Sequence, residues 1–252
     1  MSQTPDSNVP LYAVVGAAGG IGAALCRRLA ESGAKLLLGG RNLQALEALA
    51  DEVAGVPVQV DARDFSQMED FLKEAKELPW NLVGVVNCAG SMLLKPAHLT
   101  SAEDYEATVA TNLTTAFATV RAAAKAMRKG GSVVLVSSAA ADVGLPNHEA
   151  IAAAKGGVAA LARSAAATYA PRGLRVNAVA PGLVETPMTQ GITGNELALK
   201  ASVSLHPVGR AGNADEVASL VAWLLGPDST WVSGQIWGID GGLGRLKGKA
   251  KI

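Results

Sequence analysis

Short apolar runs alternate with longer alanine- and leucine-rich stretches along almost the whole chain. The short runs predict strands at Tyr12–Val15, Lys35–Leu38, Val56–Val60, Leu82–Asn87, Ser132–Ser137, Leu174–Val179 and Gln235–Ile239. The longer stretches predict helices at Ile21–Glu31, Leu43–Glu52, Phe65–Glu77, Thr100–Arg128, Glu149–Ala170 and Ala214–Leu225. Several of the strands are apolar on both faces, so both faces need cover. The pattern predicts one α/β domain, a doubly wound parallel sheet of about seven strands with helices on both faces.

Composition excludes several classes of partner. Of the 252 residues 49% are hydrophobic, and 22 basic residues balance 22 acidic ones. Nucleic acids and anionic membranes require a basic surface, so neither is an expected partner. The histidines (His98, His148 and His206) and the cysteines (Cys26 and Cys88) do not have metal-ligand spacing. We therefore expect no metal site and free thiols in a reducing compartment.

The chain ends and one internal segment differ from the rest. Residues 1–10 are polar and predicted to form a disordered tail, residues 11–243 form the domain, and residues 244–252 form a basic, solvated tail. No secretory signal or membrane-spanning segment is recognised, which predicts a cytoplasmic protein. The segment 186–213 mixes glycine, proline and short apolar pieces after a predicted strand. We expect it to form a loop or a small helical lid over a ligand site.

A glycine-rich segment, Gly16–Gly22, lies between the first predicted strand and the first predicted helix. Its glycines let the backbone turn sharply and let amide groups approach a bound anion. The helix that begins near Ile21 presents unpaired N–H groups and the positive end of its dipole at the same place. The segment predicts a site for the pyrophosphate of a dinucleotide, although a tight turn without a ligand has a similar composition.

Further motifs follow in order, and with the glycine turn they resemble those of the short-chain dehydrogenase/reductase family. They are Gly16-x3-Gly20-Ile21-Gly22, Asn87-Cys88-Ala89-Gly90, Thr111-Asn112-Leu113, Ser137-Ser138, Arg175–Gly182, Thr186-Pro187-Met188 and Gly234–Gly242. The resemblance covers residues 11–243 and points toward members that act as 3-oxoacyl-(acyl-carrier-protein) reductases. It implies a Rossmann-type fold, a nicotinamide dinucleotide cofactor and hydride transfer to or from a carbonyl carbon.

The resemblance also implies which residues hold the cofactor. They are Gly16, Gly20, Ile21, Gly22, Arg41, Asp61, Ala62, Asn87, Ala89, Gly90, Lys155, Pro181, Gly182, Val184 and Thr186. Members that prefer NAD carry an acid at the end of the second strand, where this chain has Gly40 followed by Arg41. A guanidinium pairs well with a 2′-phosphate, which favours NADP(H). NAD(H) stays an alternative, in which Arg41 only begins a helix in solvent.

The catalytic residues of the family are matched only in part. Ser138, Lys155 and Asn112 resemble its serine, lysine and asparagine, but Ile151 stands where its tyrosine lies, four residues before the lysine. An isoleucine has no proton to give, so the usual carbonyl reduction lacks its acid. We still expect Lys155 to bind the ribose hydroxyls. Ser138 is expected to bind a substrate oxygen, unless it is only a turn residue at the strand end.

A substitute acid is available in the sequence. His148 precedes Lys155 by seven residues, which places both on one helix face if the helix begins that early. An imidazole titrates near neutrality and can act as a general acid, with Glu149 as a weaker possible partner. The alternatives are a capping or surface role for His148, with water as the acid.

Two functions remain open from the sequence. One is an NADP(H)-dependent oxidoreductase that transfers hydride to a carbonyl or activated enoyl group; the other is a pseudoenzyme that binds NADP(H) as a sensor or scaffold. Apolar residues within 189–210 favour an apolar or acyl substrate, or simply pack the lid onto the sheet. The alanine-rich helix Glu149–Ala170, combined with the family resemblance, implies a homotetramer or homodimer.

Overall fold

The computed structural model describes residues 9–247, and in them seven parallel strands form one sheet. These strands are β1 (Pro10–Val15), β2 (Lys35–Gly40), β3 (Val56–Gln59), β4 (Asn81–Asn87), β5 (Gly131–Val136), β6 (Leu174–Pro181) and β9 (Ile236–Ile239). Their order is β3-β2-β1-β4-β5-β6-β9. The chain therefore winds in one direction from β1 to β3 and in the other from β4 onward, which confirms the predicted fold class.

Helices cover both faces of this sheet. They are α1 (Gly20–Glu31), α2 (Leu43–Val53), α3 (Phe65–Glu77), α4 (Ala102–Val109), α5 (Thr115–Ala126), α6 (Glu149–Tyr169), α7 (Gln190–Thr193), α8 (Glu196–Val203) and α9 (Ala214–Leu225). A small second sheet pairs β7 (Val184–Glu185) with β8 (Gly212–Asn213). None of the helices in residues 9–247 is both long enough and apolar enough to cross a membrane.

Alternation along the strands divides the core into two layers. In β1, Leu11, Ala13 and Val15 face α3, α5 and α6, whereas Tyr12 and Val14 face α1, α2 and α9. All five of these side chains are buried. Because successive strand residues point to opposite faces, a strand can be apolar throughout only if helices cover both sides. This is the physical reason for the continuous apolar runs in the sequence.

The predicted helix Thr100–Arg128 is wrong as a single regular element. α4 ends at Val109, a π-helical turn spans Ala110–Thr114, and α5 begins at Thr115. Helical periodicity continues through this region, so the sequence pattern does not reveal the wider turn. π-Helical turns within helices are frequent at functional sites, and this one carries Asn112.

The predicted boundaries need smaller corrections at the ends. β1 begins at Pro10, so the residue predicted to end a disordered tail lies in the sheet. Residues 1–8 and 248–252 lie outside the described part of the chain, and so does most of each predicted tail. The amides of Arg245 and Leu246 donate to the carbonyl of Gly242, so the predicted basic tail begins as an ordered turn.

The predicted lid segment, 186–213, contains α7, α8 and β8. His206 connects this segment to the loop after β6 through hydrogen bonds. Its Nε2 accepts a hydrogen bond from the Leu183 amide at 3.0 Å, and its Nδ1 lies 2.8 Å from the Ser202 carbonyl oxygen. Leu183 lies two residues beyond the end of β6, so the buried His206 side chain joins the end of α8 to the loop after the strand.

Candidate functional site

A cleft opens at the carboxyl ends of β1, β2, β4, β5 and β6. It lies where the strand order reverses between β1 and β4, the usual ligand site of an open parallel sheet. Two adjoining cavities, of about 270 and 180 Å³, form the cleft. We name them the β2-side cavity and the α6-side cavity. They share the lining residues Gly19, Cys88, Ala89, Gly90 and Met188.

The glycine turn forms the wall between β1 and α1. Gly16 has a φ of +74°, and its amide donates to the Gly39 carbonyl at 2.8 Å, which joins the turn to β2. A Cβ at Gly16 would lie 2.7 Å from the Ala89 nitrogen, and one at Gly22 would lie 2.3 Å from the Gly16 oxygen. No side chain fits at either position. The turn therefore brings bare backbone to the N-terminus of α1, an arrangement that fits a pyrophosphate.

Two arginines and one acid line the β2-side cavity: Arg41, Arg63 and Asp61. The Nε of Arg63 donates to the Asp61 carboxylate at 2.9 Å, and this guanidinium lowers the pKa of that carboxyl to about 2. Two positive charges therefore face one negative charge. A Cβ added at Gly40, the residue before Arg41, would be in ordinary van der Waals contact with Leu46, whose nearest atom lies 3.5 Å away. The net positive charge suits a phosphate on the ribose.

Lys155 is a buried cation in the α6-side cavity. Its Nζ donates to the Val136 carbonyl at 2.8 Å, and only 7% of the residue is exposed. Burial lowers the pKa of this ammonium to about 8, because the charged form loses its hydration. The neighbouring Cys88 is half-buried, and desolvation of its thiol raises its pKa to about 12, which keeps it protonated at neutral pH.

Asn112 is held in the π-helical turn by three hydrogen bonds. Its Nδ2 donates to the Thr108 carbonyl at 2.9 Å and to the Ser91 hydroxyl at 3.0 Å. Its Oδ1 accepts from the Ser91 amide at 3.2 Å. Gly90 lies between this side chain and Lys155, since an added Cβ would be 3.1 Å from Asn112 Oδ1 and 3.5 Å from Lys155 Nζ. The predicted asparagine and lysine thus meet beside the loop after β4.

Ile151 lines the α6-side cavity one turn before Lys155. It is 6% exposed, and Met92 and Met188 contribute further apolar surface to the same cavity. Ser138 lies across from α6 at the end of β5, where its Oγ accepts from the Ala140 amide at 3.2 Å. The structure therefore brings Ser138, Asn112 and Lys155 together, with an apolar side chain among them.

Two of the predicted site residues do not line the cleft. His148 is the residue before α6, and its Nδ1 lies 2.7 Å from the Pro146 carbonyl oxygen. His148 is the N-cap of α6 and lines neither cavity, so its catalytic role stays a prediction that this placement does not favour. Asn87 lies beneath the cleft, where its Oδ1 accepts from the Ala89 amide at 2.8 Å and shapes the loop after β4.

All other predicted site residues line one of the two cavities. In residues 9–247 no group of three or more histidine, cysteine or acidic side chains is placed to hold a metal ion. Both cysteines, Cys26 and Cys88, are free thiols.

Comparison with known proteins identifies the family. A family model described as enoyl-(acyl carrier protein) reductase matches residues 16–244. The 3-oxoacyl-(acyl-carrier-protein) reductase of Thermotoga maritima is 35% identical over 239 residues, which cover 91% of this chain and 96% of that protein. The chain belongs to the short-chain dehydrogenase/reductase family. Its relatives are oxidoreductases, in agreement with the family predicted from the motifs.

Solved structures of this family share the fold. A short-chain dehydrogenase/reductase from Mycobacterium ulcerans has a TM-score of 0.91 and 27% identity, covering 96% of this chain and 92% of that one. Actinorhodin polyketide ketoreductase, solved with NADPH, has a TM-score of 0.88 and 28% identity, covering 98% of this chain and all of that one.

The family motifs do not identify every residue that lines the cleft. Arg63, Ser91 and Met92 line it but lie outside the motif positions that the sequence singles out. Ser91 and Met92 directly follow the Asn87–Gly90 motif, and Arg63 follows Asp61-Ala62, so adjacency to a motif was the available signal. What each side chain contacts depends on elements that are distant along the chain.

Proposed function

We propose that the protein is an NADP(H)-dependent oxidoreductase with an atypical active site, which transfers hydride between the cofactor and a carbonyl or activated enoyl substrate. The observation that carries the proposal is the pairing of a cofactor half-site with a catalytic half-site that keeps every family residue except the phenol. A glycine turn with Arg41 and Arg63 lies at one end, and Ser138 lies near the buried Lys155 at the other. A scaffold that catalyses no reaction would not need the second half-site, which contains Ser138 and Lys155.

The residues of the chain have distinct roles in this proposal. Backbone amides of the glycine turn bind the pyrophosphate, Arg41 and Arg63 bind the 2′-phosphate, and Lys155 binds the nicotinamide ribose. When bound, NADPH supplies the hydride. Ser138 donates a hydrogen bond to the substrate oxygen as negative charge develops there, and the Lys155 ammonium favours that charge electrostatically.

The missing phenol restricts the substrate. Ile151 neither donates a proton nor binds an oxygen, so the final proton comes from water. An activated enoyl group suits such a site, because the enolate formed after hydride addition is far less basic than an alkoxide. The apolar surface of Ile151, Met92 and Met188 favours an acyl or otherwise apolar substrate over a sugar.

The second candidate function is a pseudoenzyme that binds NADP(H) as a sensor or scaffold. Ile151 favours it, because this side chain closes the position from which a general acid would act. It predicts cofactor binding without turnover of any carbonyl or enoyl compound. The two free cysteines fit work in a reducing compartment such as the cytoplasm under either function.

Substitutions at the end of β2 test which cofactor the protein prefers. Titration of the purified protein, followed by nicotinamide fluorescence and binding heat, is expected to give tighter binding of NADPH than of NADH. Arg41→Ala should weaken NADPH binding by about tenfold or more, the value of one charge-assisted contact, and leave NADH binding unchanged. Gly40→Asp should favour NADH, since the added Cβ meets Leu46 at an ordinary contact distance and the carboxylate repels a 2′-phosphate.

Each result has a distinct meaning. Equal binding of both cofactors by the unmodified protein would contradict the role of Arg41 and Arg63. If the protein binds neither NADPH nor NADH, both the oxidoreductase proposal and the sensor proposal are contradicted. If NADPH binds, its oxidation is followed with a ketone, a β-keto thioester and an α,β-unsaturated thioester, and no turnover of all three would favour the pseudoenzyme.

We further propose that the protein assembles as a homotetramer or homodimer through α6. Small exposed side chains recur along one face of this helix at Ala153, Ala160, Ser164 and Ala167. Small residues let two helices approach closely, so the face suits a second copy of α6.

A further inference from the structure

Five hydroxyl side chains line the α6-side cavity, and the hydrogens of three are already committed. Ser137 donates to the Lys155 carbonyl at 2.9 Å. Thr189 donates to the Val184 carbonyl, and the hydroxyl of Thr186 lies 3.2 Å from that of Thr189, which leaves Thr186 as the donor of that pair. These three groups hold the surrounding backbone and have no hydrogen left for a ligand.

The other two hydroxyls, those of Ser91 and Ser138, keep their hydrogens. Each accepts a hydrogen bond: Ser91 from Asn112 Nδ2 at 3.0 Å and Ser138 from the Ala140 amide at 3.2 Å. Neither donates to any acceptor within residues 9–247. A hydroxyl has one donor and two acceptor positions, so both serines have a hydrogen available to a molecule in the cavity.

Ser91 is held more firmly than a surface serine. Asn112 binds it twice, through the Ser91 amide and through its hydroxyl, and the Thr108 carbonyl fixes the orientation of the Asn112 amide group. Asn112 is only 1% exposed. When a hydroxyl oxygen accepts a hydrogen bond from an N–H group, the hydroxyl is polarised, and its own O–H becomes a stronger donor. Ser91 is therefore positioned and activated as a donor before any ligand binds.

We propose that Ser91 is a catalytic residue whose hydroxyl, together with that of Ser138, donates a hydrogen bond to the substrate oxygen in place of the missing phenol. The inference rests on the proposed oxidoreductase function. Asn112 acts through Ser91 as a positioning residue. The nearby Lys155 ammonium adds a positive charge beside the same oxygen.

The reaction balances with NADPH as the reductant. Hydride forms a C–H bond at the carbonyl carbon, or at the β-carbon of an enoyl group, and the displaced π electrons move to the oxygen. The two serine hydroxyls bind that oxygen without losing their own hydrogens. A proton from water then goes to the oxygen of a reduced carbonyl, or to the α-carbon of a reduced enoyl group. The hydride carries two electrons and one proton, and water supplies a second proton, so the substrate gains two electrons and two protons while NADP⁺ and hydroxide remain.

The test compares four variants with the unmodified protein: Ser91→Ala, Ser91→Thr, Ser138→Ala and Ser66→Ala. NADPH oxidation is measured with acetoacetyl-CoA and with crotonyl-CoA, and NADPH binding is measured by fluorescence. Loss of one donor to a developing oxyanion lowers kcat by about 100-fold or more. We expect that loss in Ser91→Ala and Ser138→Ala, with the Kd for NADPH within about twofold and with KM changed far less than kcat.

The remaining variants distinguish the loss of the hydroxyl donor from a change in the packing of the protein. Ser91→Thr keeps the donor and should retain activity within about tenfold, which a loss caused only by packing would not produce. Ser66 is exposed in the first turn of α3 and lines neither cavity, so Ser66→Ala should match the unmodified protein. Full activity in Ser91→Ala would overturn the inference while leaving the proposed function intact. An unmodified protein that binds NADPH but turns over neither thioester would overturn both.

Discussion

At the residue scale, the chemistry of the site depends on the contrast between Ile151 and Lys155. They lie one turn apart on α6, both are buried, and both line the α6-side cavity. Most short-chain dehydrogenases, by the resemblance described above, place a phenol where this chain has an alkyl group. The site therefore combines a retained cation with a lost acid, and substitutions can separate their effects.

Restoring the phenol should restore a general acid. We expect Ile151→Tyr to raise carbonyl reduction by about 100-fold, a typical contribution of a positioned acid, while NADPH binding stays unchanged. The measurement is NADPH oxidation with a ketone and with acetoacetyl-CoA. Ile151→Phe is the matched control, because it adds the same ring without the hydroxyl. Equal gains in both variants would point to packing, and no gain in either would contradict the idea of a site that lacks only its acid.

Lys155 should make stability depend on pH in the alkaline range. Burial lowers the pKa of its ammonium from 10.5 to about 8, so the folded state disfavours the charged form. Below pH 8 the lysine is charged in the folded and the unfolded states, so the full free-energy cost of burying this charge lowers the stability of the folded protein. Between pH 8 and 10.5 the unfolded chain holds a proton that the folded chain has released, so stability rises with pH. Relative to Lys155→Met, the unmodified protein should gain about 3 kcal/mol of unfolding free energy over that range.

Urea denaturation of both proteins from pH 7 to 10.5 measures this difference, and other titrating groups cancel between them. A difference that does not change with pH would mean that the lysine is hydrated in the folded protein.

At the element scale, the turn between β1 and α1 depends on the close approach of backbone to backbone. Gly22 packs against Gly16, so the first turn of α1 meets the loop that precedes it. The same contact directs the amides of the helix N-terminus into the cleft. Fold and binding site are therefore built from the same few atoms.

Gly22→Ala should therefore destabilise the protein by about 1–3 kcal/mol, as overpacking does, and should abolish NADPH binding. The added Cβ would lie 2.3 Å from a backbone oxygen, which cannot move without displacing the turn. Gly144→Ala is the control, since no atom lies within 4 Å of an added Cβ there. Thermal unfolding and fluorescence titration measure both effects. Retained NADPH binding in Gly22→Ala would mean that the turn does not hold the pyrophosphate.

At the scale of the whole molecule, the exposed face of α6 bears on assembly. The buried face of this helix packs on β6 and carries the site, whereas Ala153 and Ala160 face solvent in the single chain. An interface on this exposed face would restrain α6 from the side opposite to the sheet. Assembly and the position of Lys155 would then be linked through one rigid helix.

Ala160→Arg should reduce the assembled mass, because a long charged side chain prevents two α6 helices from approaching closely. We expect light scattering coupled to gel filtration to give a multiple of the 25.6 kDa chain for the unmodified protein and a smaller species for the variant. Ala54→Arg places the same charge on a different exposed surface as a control. A monomer mass for the unmodified protein would contradict the proposal.

The sequence alone determined the fold class, the glycine turn and the family motifs. Alternation of short apolar runs with amphipathic helices depends on local period, and the glycine turn lies within seven consecutive residues, so both are readable without a structure. The match of Ser138, Asn112 and Lys155 to ordered motifs was likewise local information.

Only the tertiary structure decided which side chains share the cleft. The pair Ser91 and Asn112 is separated by 21 residues, and the π-helical turn that aims Asn112 has the same periodicity in sequence as a regular helix. His148 was one candidate for the missing acid in the sequence, and the structure shows it as the N-cap of α6, outside the residues that line the cleft. A hydrogen bond depends on positions within a few tenths of an ångström, which the packing of distant elements sets and which no local pattern records.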